Sequence, residues 1–249
     1  MVSTPSSTLP APTGPSLSLP KINLLCMQNR FARAFEAARA KHKLHPSYDI
    51  AIHESSLAAL PASVTYDLVV SPANSYARLD GAFDDAISRA FSPRDDYLAL
   101  TRHAQGIVYR KYRGFAPPGT CTLIPFAFEP GATKNVWGCR YVALCPTMRV
   151  PANVCWDREI VYECVWSLLC ALDNHNNDDA VKPADKITSI LMTPLATGVG
   201  LVSPQKWAEQ AVLAMNHYAE AVEKPEKWSR LEFHDVYRDC WKVGETHDL

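Results

Sequence analysis

Short apolar runs alternate with longer amphipathic segments along most of this chain, and this alternation restricts its fold more than any other feature. The apolar runs are continuous, as expected of strands that are covered on both faces of a sheet. The segments between several of them repeat apolar residues at helical spacing. We therefore predict an α/β fold, a three-layer α/β/α sandwich with a mixed, largely parallel central sheet.

Proline and helix-capping residues indicate where individual elements begin or lie in this fold. Pro125 falls within one predicted strand and puts it at an edge of the sheet, because proline cannot donate to a strand ladder. Asp157 and Ser203 are the predicted N-caps of two helices. Strands are predicted at residues 22–27, 48–53, 66–70, 121–128, 140–145 and 187–192, and helices at residues 31–42, 81–91, 97–112, 157–172 and 205–222.

The composition divides the chain into a tail and one domain. Residues 1–20 are rich in Ser, Thr and Pro and are predicted to be a flexible tail, which lacks the pattern of a signal peptide. Residues 21–249 are predicted to form a single domain, in which residues from about 223 to 249 are a C-terminal extension that packs on the rest. We expect no membrane span, and a cytoplasmic or nuclear rather than a secreted protein.

Charge and cysteine content limit the partners. The 249 residues carry a formal net charge of -1, so we predict no DNA-binding surface and a nucleotide ligand that is held locally. The eight cysteines lie mostly in apolar runs without CxxC or HExxH spacing, which predicts reduced thiols and no metal site. We expect a monomer that needs no cofactor.

The segment SPANSYARLDGAFDD leaves a predicted buried strand and enters a predicted helix, which is the usual place of a ligand loop in an open α/β sheet. The start of a helix favours a phosphate by roughly 0.3 to 2 kcal/mol, and Gly81 allows a ligand to approach the backbone. Asp80, Asp84 and Asp85 place three carboxylates around this loop, which suits an acid and a base or a metal. The same residues also suit an ordinary turn, and Asp85 suits a solvated position in the first helical turn.

In order and without gaps, PANSYARLDGAFDDAI resembles the ligand loop of macrodomains, which carry NAAN, a glycine-rich loop and V-D-G-A-I. Asn74 falls on the last Asn of that motif, Phe83 on its Val and Asp84 on its Asp. The resemblance implies a macrodomain-like fold in which Asn74 holds the distal ribose of ADP-ribose. It also implies that Asp84 lies beside that ribose, where hydrolytic members use the Asp to activate water.

The glycine run of such loops is reduced here to Gly81, with Asp80 before it and Ala82 after it. We expect Gly81, Ala82 and Phe83 to contact ADP-ribose, with Phe83 also a candidate for the core. Asp80 is a third candidate catalytic residue beside Asp84 and Asn74. The loss of glycines favours binding without turnover.

The segment MTPLATGVGLVSP follows another predicted strand and precedes a helix, so its amides are predicted to form a second cradle opposite the first loop. Alone, TGVG also suits a plain strand-exit turn. Paired with the first loop, it resembles the loop with which macrodomains grip the diphosphate, with Ala196 in place of a usual Gly. The expected contacts are Thr197, Gly198, Val199 and Gly200.

Two other segments give weaker indications. ALCPTMRVPANV resembles a strand and loop of a divergent, phage- and fungus-associated branch of macrodomains, and its Arg149 is a candidate for a phosphate contact or a loop salt bridge. Glu54 follows the second predicted strand and is the nearest candidate for the acid that receives adenine in many macrodomains. It is equally a candidate surface residue.

Two functions follow from these interpretations. The first is a macrodomain that hydrolyses ADP-ribose conjugates, as a mono-ADP-ribosyl hydrolase or an ADP-ribose 1''-phosphate phosphatase. The second is a reader that binds ADP-ribose, free or on a modified macromolecule, without turnover. A Rossmann-type binder is disfavoured, because CMQNRF follows the first predicted strand in place of G-x-G-x-x-G.

Overall fold

The computed structural model describes residues 19–249, which form a six-stranded sheet with helices on both faces. Of the predicted tail, residues 1–18 lie outside the described residues, and Leu19 packs against the hydrophobic core. The strands are β1 (Lys21–Leu25), β2 (Ile50–His53), β3 (Leu68–Ser71), β4 (Thr122–Pro125), β5 (Tyr141–Leu144) and β6 (Ser189–Met192). The helices are α1 (Asn29–Lys41), α2 (Ala82–Phe91), α3 (Ala99–Tyr112), α4 (Ile160–Asn176), α5 (Pro204–Glu223), α6 (Pro225–Trp228) and α7 (Phe233–Gly244).

The sheet is mixed, with strand order β2-β1-β6-β3-β5-β4. All neighbouring strands run parallel except β4, which is antiparallel to β5. The predicted edge position of the strand that contains Pro125 is confirmed. The parallel strands β1, β3, β5 and β6 are covered on both faces, which explains their continuous apolar runs: Leu24, Val69, Val142 and Ile190 are all buried, whereas the edge strand β2 is half-buried.

Two hydrophobic layers flank the sheet, and they confirm the three-layer prediction. On one face α1, α4 and α5 pack around Trp207, whose ring lies 6.0 Å from that of Phe31 and 5.9 Å from that of Phe35. On the other face α2 and α3 form the second layer, where Phe91 stacks on Phe126 at 5.0 Å. Each layer shields one face of the sheet from water, and this burial is the main favourable term in folding.

The two predicted helix caps have different outcomes. Ser203 is confirmed, since its Oγ accepts a hydrogen bond from the Lys206 amide at 3.0 Å at the start of α5. The prediction for Asp157 is wrong, because α4 begins only at Ile160. The Asp157 carboxylate instead accepts from the Glu159 amide at 3.2 Å in the turn before the helix, a local bond that short acidic side chains form readily.

The C-terminal extension packs on α4 and α5. Trp228 stacks on Trp166 at 5.4 Å, and Gln210 donates to the Thr246 hydroxyl at 2.9 Å. Its last helix, α7, leaves several large side chains exposed. These include Phe233, Tyr237 and Trp241. No helix among residues 19–249 is long and apolar enough to span a membrane.

Asp67, directly before β3, joins β3 to β6 and β5. One carboxylate oxygen accepts from the amides and hydroxyls of Thr188 and Ser189 at 2.8 to 3.1 Å. The other accepts from Arg140 at 3.0 Å. Burial raises the pKa of this carboxyl, but the converging donors outweigh burial and hold the pKa below the ordinary value.

We expect Asp67→Asn to lower the free energy of unfolding at pH 7 by about 1 to 3 kcal/mol, because an amide NH₂ would face several donors. The native pKa lies below the unfolded value of 3.8, so the Asp67 contribution is present at neutral pH and is lost as the pH falls through the native pKa. Urea unfolding of both proteins between pH 7 and pH 2 should show the difference shrinking. Asp185→Asn, at an exposed partner of Arg140, should cost less than about 0.5 kcal/mol. An equal loss in both variants would contradict the role of Asp67.

Candidate functional site

The loops that follow β1, β3, β5 and β6 meet at the carboxyl edge of the parallel strands and border a cleft of about 750 Å³. This volume is within the usual range for a small-molecule site. The structure brings together nearly all the residues predicted from the two loops. The predicted residues that line the cleft are Asn74, Asp80, Gly81, Ala82, Phe83, Asp84, Thr197, Gly198, Val199 and Gly200.

Glu54 is the predicted site residue that the structure does not bring to the cleft. Its two carboxylate oxygens accept hydrogen bonds from the Asn29 side-chain amide at 2.9 and 3.0 Å. Asn29 is the first residue of α1, and neither residue lines the cleft. The Glu54 carboxylate is therefore hydrogen-bonded to Asn29 outside the cleft.

Asn74 shapes the first loop through its side chain. Its Oδ1 accepts from the amides of Tyr76 and Arg78 at 3.1 and 3.3 Å, and its Nδ2 donates to the Arg78 carbonyl at 2.7 Å. These bonds close a turn in which Ala77 has a positive φ of 53°. One Nδ2 hydrogen of Asn74 remains available to a ligand.

The start of α2 presents backbone donors to the cleft. Gly81 is the N-cap without a side-chain cap, and within the described part of the chain the amides of Gly81, Ala82 and Phe83 have no acceptor. Ala82 has a φ of 49°, in the left-handed region where glycine is favoured. The loop thus keeps a glycine-like conformation at the point where the resembled glycine run is interrupted. Phe83 is both a core residue and a lining residue.

Asp84 lies on the floor of the cleft and is only 6% exposed. The Ser71 hydroxyl, at the end of β3, donates to its Oδ1 at 2.6 Å. Burial raises the pKa of Asp84 to about 7, with a smaller contribution from the charge of Asp80, while the Ser71 hydrogen bond acts in the opposite direction. The carboxyl therefore exchanges a proton near neutral pH, as a general acid or base does.

The other two carboxylates of this loop have separate partners. Asp80 lines the cleft and accepts from the Arg78 Nε at 2.5 Å. Asp85 faces away from the cleft, toward Arg89 at 2.8 Å and the Tyr97 hydroxyl at 2.6 Å. Of the three acids, only Asp80 and Asp84 reach the cleft. No group of three or more His, Cys, Asp or Glu side chains in residues 19–249 could hold a metal ion.

The loop after β6 supplies a second set of donors. Within the described chain, the amides from Ala196 to Gly200 have no acceptor, while Leu201 and Val202 donate back to Gly198 and Ala196 at 3.1 Å. Ala196 has a φ of 59° where the resembled loop has glycine. This row of free amides suits an anionic ligand group.

Gly200 fixes the shape of this second loop. A Cβ at this position would lie 2.4 Å from the Ala196 carbonyl oxygen and 2.9 Å from the Val154 side chain. The close backbone approach therefore requires glycine.

The loop after β1 also borders the cleft, although none of its residues was predicted to do so. Gln28, Arg30 and Phe31 line the cleft at the start of α1, where the Arg30 guanidinium lies 5.0 Å from the centroid of the Phe31 ring. This strand exit lies at the same sheet edge as the two recognised loops, which was the available signal. Thr147 and Thr193, after β5 and β6, also line the cleft.

No protein-family model matches this chain, and no curated protein sequence matches it. Among solved structures, the Oceanobacillus iheyensis macrodomain with MES bound is 16% identical, with a TM-score of 0.43 over 62% of this chain and 71% of that one. A point mutant of that macrodomain with ADPR is 14% identical, with a TM-score of 0.42 over 68% and 91% of the two chains. The same macrodomain with ADP is 15% identical, with a TM-score of 0.42 over 66% and 86%.

We expect Asp84→Asn to raise the free energy of unfolding at pH 8 by about 1 to 4 kcal/mol. Between the unfolded pKa of 3.8 and the folded pKa of about 7, the unfolded chain releases a proton that the folded chain keeps, so the wild type loses stability as the pH rises. Urea unfolding at pH 4 and at pH 8 should give a difference only at the higher pH. Asp85→Asn, which removes a charge that Arg89 and Tyr97 stabilise, should not gain stability at pH 8. A less stable Asp84→Asn protein at pH 8 would contradict this account.

Proposed function

We propose that the cleft binds ADP-ribose and that the protein hydrolyses ADP-ribose conjugates, as a mono-ADP-ribosyl hydrolase or an ADP-ribose 1''-phosphate phosphatase. The observation that carries the proposal is the position of Asp84, a buried carboxyl with a pKa of about 7, between two loops with free amides. Nucleotide diphosphates are commonly held by such amides at strand-to-helix loops. The order of residues in PANSYARLDGAFDDAI points to the same ligand.

The two loops have separate roles in binding. The amides from Thr197 to Gly200 bind the diphosphate from one side, and those from Gly81 to Phe83 bind it from the other. Asn74 donates its remaining Nδ2 hydrogen to a hydroxyl of the distal ribose. Glu54 receives no role in this proposal, because its carboxylate is held by Asn29 beside the cleft.

The glycine pattern supports this assignment. Ala82 and Ala196 stand where the resembled loops carry glycine, and both have the positive φ that glycine adopts most easily. Both positions therefore have a glycine-like backbone conformation although the residue is alanine.

Asp84 acts as the base in the hydrolytic step. It accepts a proton from a water whose oxygen attacks the anomeric carbon, while the bond from that carbon to the carried group breaks and the departing group takes up the proton from Asp84. In the phosphatase case the attacked atom is the phosphorus and the broken bond is P–O. Ser71 holds Oδ1 and leaves Oδ2 for the water, and Asp80, held by Arg78, is the second carboxylate of the cleft.

The second candidate is a reader that binds ADP-ribose without turnover. The observation that favours it is the engagement of both acids, since Asp84 is bound by Ser71 and Asp80 by Arg78. The reduced glycine run points the same way. The two candidates share the binding site and differ only in the chemistry at Asp84.

We expect Gly200→Ala to weaken ADP-ribose binding at least about tenfold in titration calorimetry, because the new Cβ meets the Ala196 carbonyl and the loop must move. Gly198→Ala keeps its amide and meets nothing within 4 Å, so it should have a much smaller effect. Circular dichroism of both variants checks the fold. Equal affinities in wild type and Gly200→Ala would contradict a ligand held by this loop.

We expect Asp84→Asn to keep ADP-ribose binding and to lose about 10² to 10⁴ in the rate of hydrolysis, because the amide cannot accept the proton. The measurements are ADP-ribose release from a mono-ADP-ribosylated protein and phosphate release from ADP-ribose 1''-phosphate. Undiminished release by the variant would refute the role of Asp84. Tight binding by the wild type without release of either product would identify a reader.

A further inference from the structure

One stretch of the chain carries a concentrated positive charge beside the cleft. The residues from 97 to 128 include Arg102, Arg110, Lys111 and Arg113 but no Asp or Glu, although the whole chain has a net charge of -1. Arg102 is paired with Asp96, outside this stretch. The other three cations have no carboxylate partner in the described part of the chain. The net charge of the whole chain does not reveal this local basic stretch.

Aromatic rings alternate with these cations on the exposed side of α3 and the loop after it. The Arg113 guanidinium lies 5.7 Å from the centroid of the Tyr109 ring, and Tyr109 is 59% exposed. The Arg149 guanidinium lies 5.5 Å from the centroid of the Phe115 ring, and Arg149 forms no ion pair with residues 19–249. We call this the α3 surface, defined by Tyr109, Arg110, Arg113, Phe115 and Arg149.

The α3 surface is continuous with the mouth of the cleft. Tyr76 lines the cleft, contacts the Phe115 ring edge-on at 5.8 Å and accepts from the Arg149 Nε at 3.0 Å. Gln105 also lines the cleft from α3, and it donates to the Tyr76 carbonyl at 3.2 Å. A chain that lies on the α3 surface can therefore lead one of its ends into the cleft.

We propose that the α3 surface binds a single strand of nucleic acid, whose terminus it presents to the cleft. Unpaired guanidinium groups attract the phosphates, and the exposed rings offer faces on which bases stack without regard to sequence. An acidic polypeptide would use the charges but gain nothing from the rings. The idea that the terminus of the nucleic acid enters the cleft rests on the proposed function of the cleft. The binding of the nucleic acid to the α3 surface does not.

The test is fluorescence anisotropy with a labelled oligothymidylate of about twelve nucleotides. We expect binding by the wild type that weakens with added salt, with a logarithmic slope of about 2 for three contacted phosphates. The double variant Arg110→Glu/Arg113→Glu should weaken this binding at least about tenfold. Arg230→Glu makes the same type of charge change near α6, on the opposite face of the sheet, and should leave binding unchanged.

The contribution of the rings is tested at Tyr109. Tyr109→Ala should weaken oligothymidylate binding about tenfold, whereas Tyr109→Phe, which keeps the ring, should retain it. A polyglutamate peptide of similar length should compete poorly. Equal competition by polyglutamate, equal loss in Arg230→Glu, or no oligothymidylate binding by the wild type would overturn the proposal.

Calorimetry with free ADP-ribose separates this proposal from the proposed function. The Arg110→Glu/Arg113→Glu protein should bind ADP-ribose as the wild type does, because neither residue lines the cleft. If the wild type binds oligothymidylate but not ADP-ribose, the function proposed for the cleft is overturned and the proposal for the α3 surface stands. If it binds ADP-ribose but not oligothymidylate, the proposal for the α3 surface is overturned and the function proposed for the cleft stands.

Discussion

The short pairing between β3 and β6 is the constraint on which the site depends. These central strands pair only at Leu68 with Ile190 and at Val69 with Leu191, whereas each pairs with its other neighbour over four residues. Asp67 ties the two strands together at the opposite end through Thr188 and Ser189. The sheet is therefore closed at one end and parts at its carboxyl edge, which is where ligands bind in open α/β sheets.

The same geometry explains why the pKa of Asp84 is raised. Ser71 is the last residue of β3, and its hydroxyl holds the carboxyl against the end of the strand at 2.6 Å. A carboxyl in this position is shielded from water by the strand and the first turn of α2, so the neutral form is favoured. The raised pKa that lets this carboxyl take up a proton near neutral pH also means that ionising it lowers the free energy of unfolding.

Periodicity was sufficient for the six strands and for helices α1 to α5, whereas α6 and α7 were not predicted. The edge position of β4 followed from Pro125, which cannot donate to a strand ladder. Periodicity was insufficient for Asp157, whose side chain forms a turn rather than a cap. Periodicity also does not predict where the Glu54 side chain points, which is set by its hydrogen bonding with Asn29. The loop with Arg30 was missed because it has neither the glycines nor the acids that marked the other two loops.

The alanines at positions 82 and 196 bear on which chemistry the cleft supports. A left-handed alanine costs roughly 1 kcal/mol more than glycine, so the surrounding contacts must hold each loop in place. At Ala196 the close approach of Gly200 and the bond from Val202 do so. Because alanine has fewer alternative conformations than glycine, both loops are better preorganised for a ligand that fits them but less able to follow a ligand that changes shape. Under the proposed function, turnover therefore depends on whether a water fits beside Oδ2 of Asp84 while the loops keep this conformation.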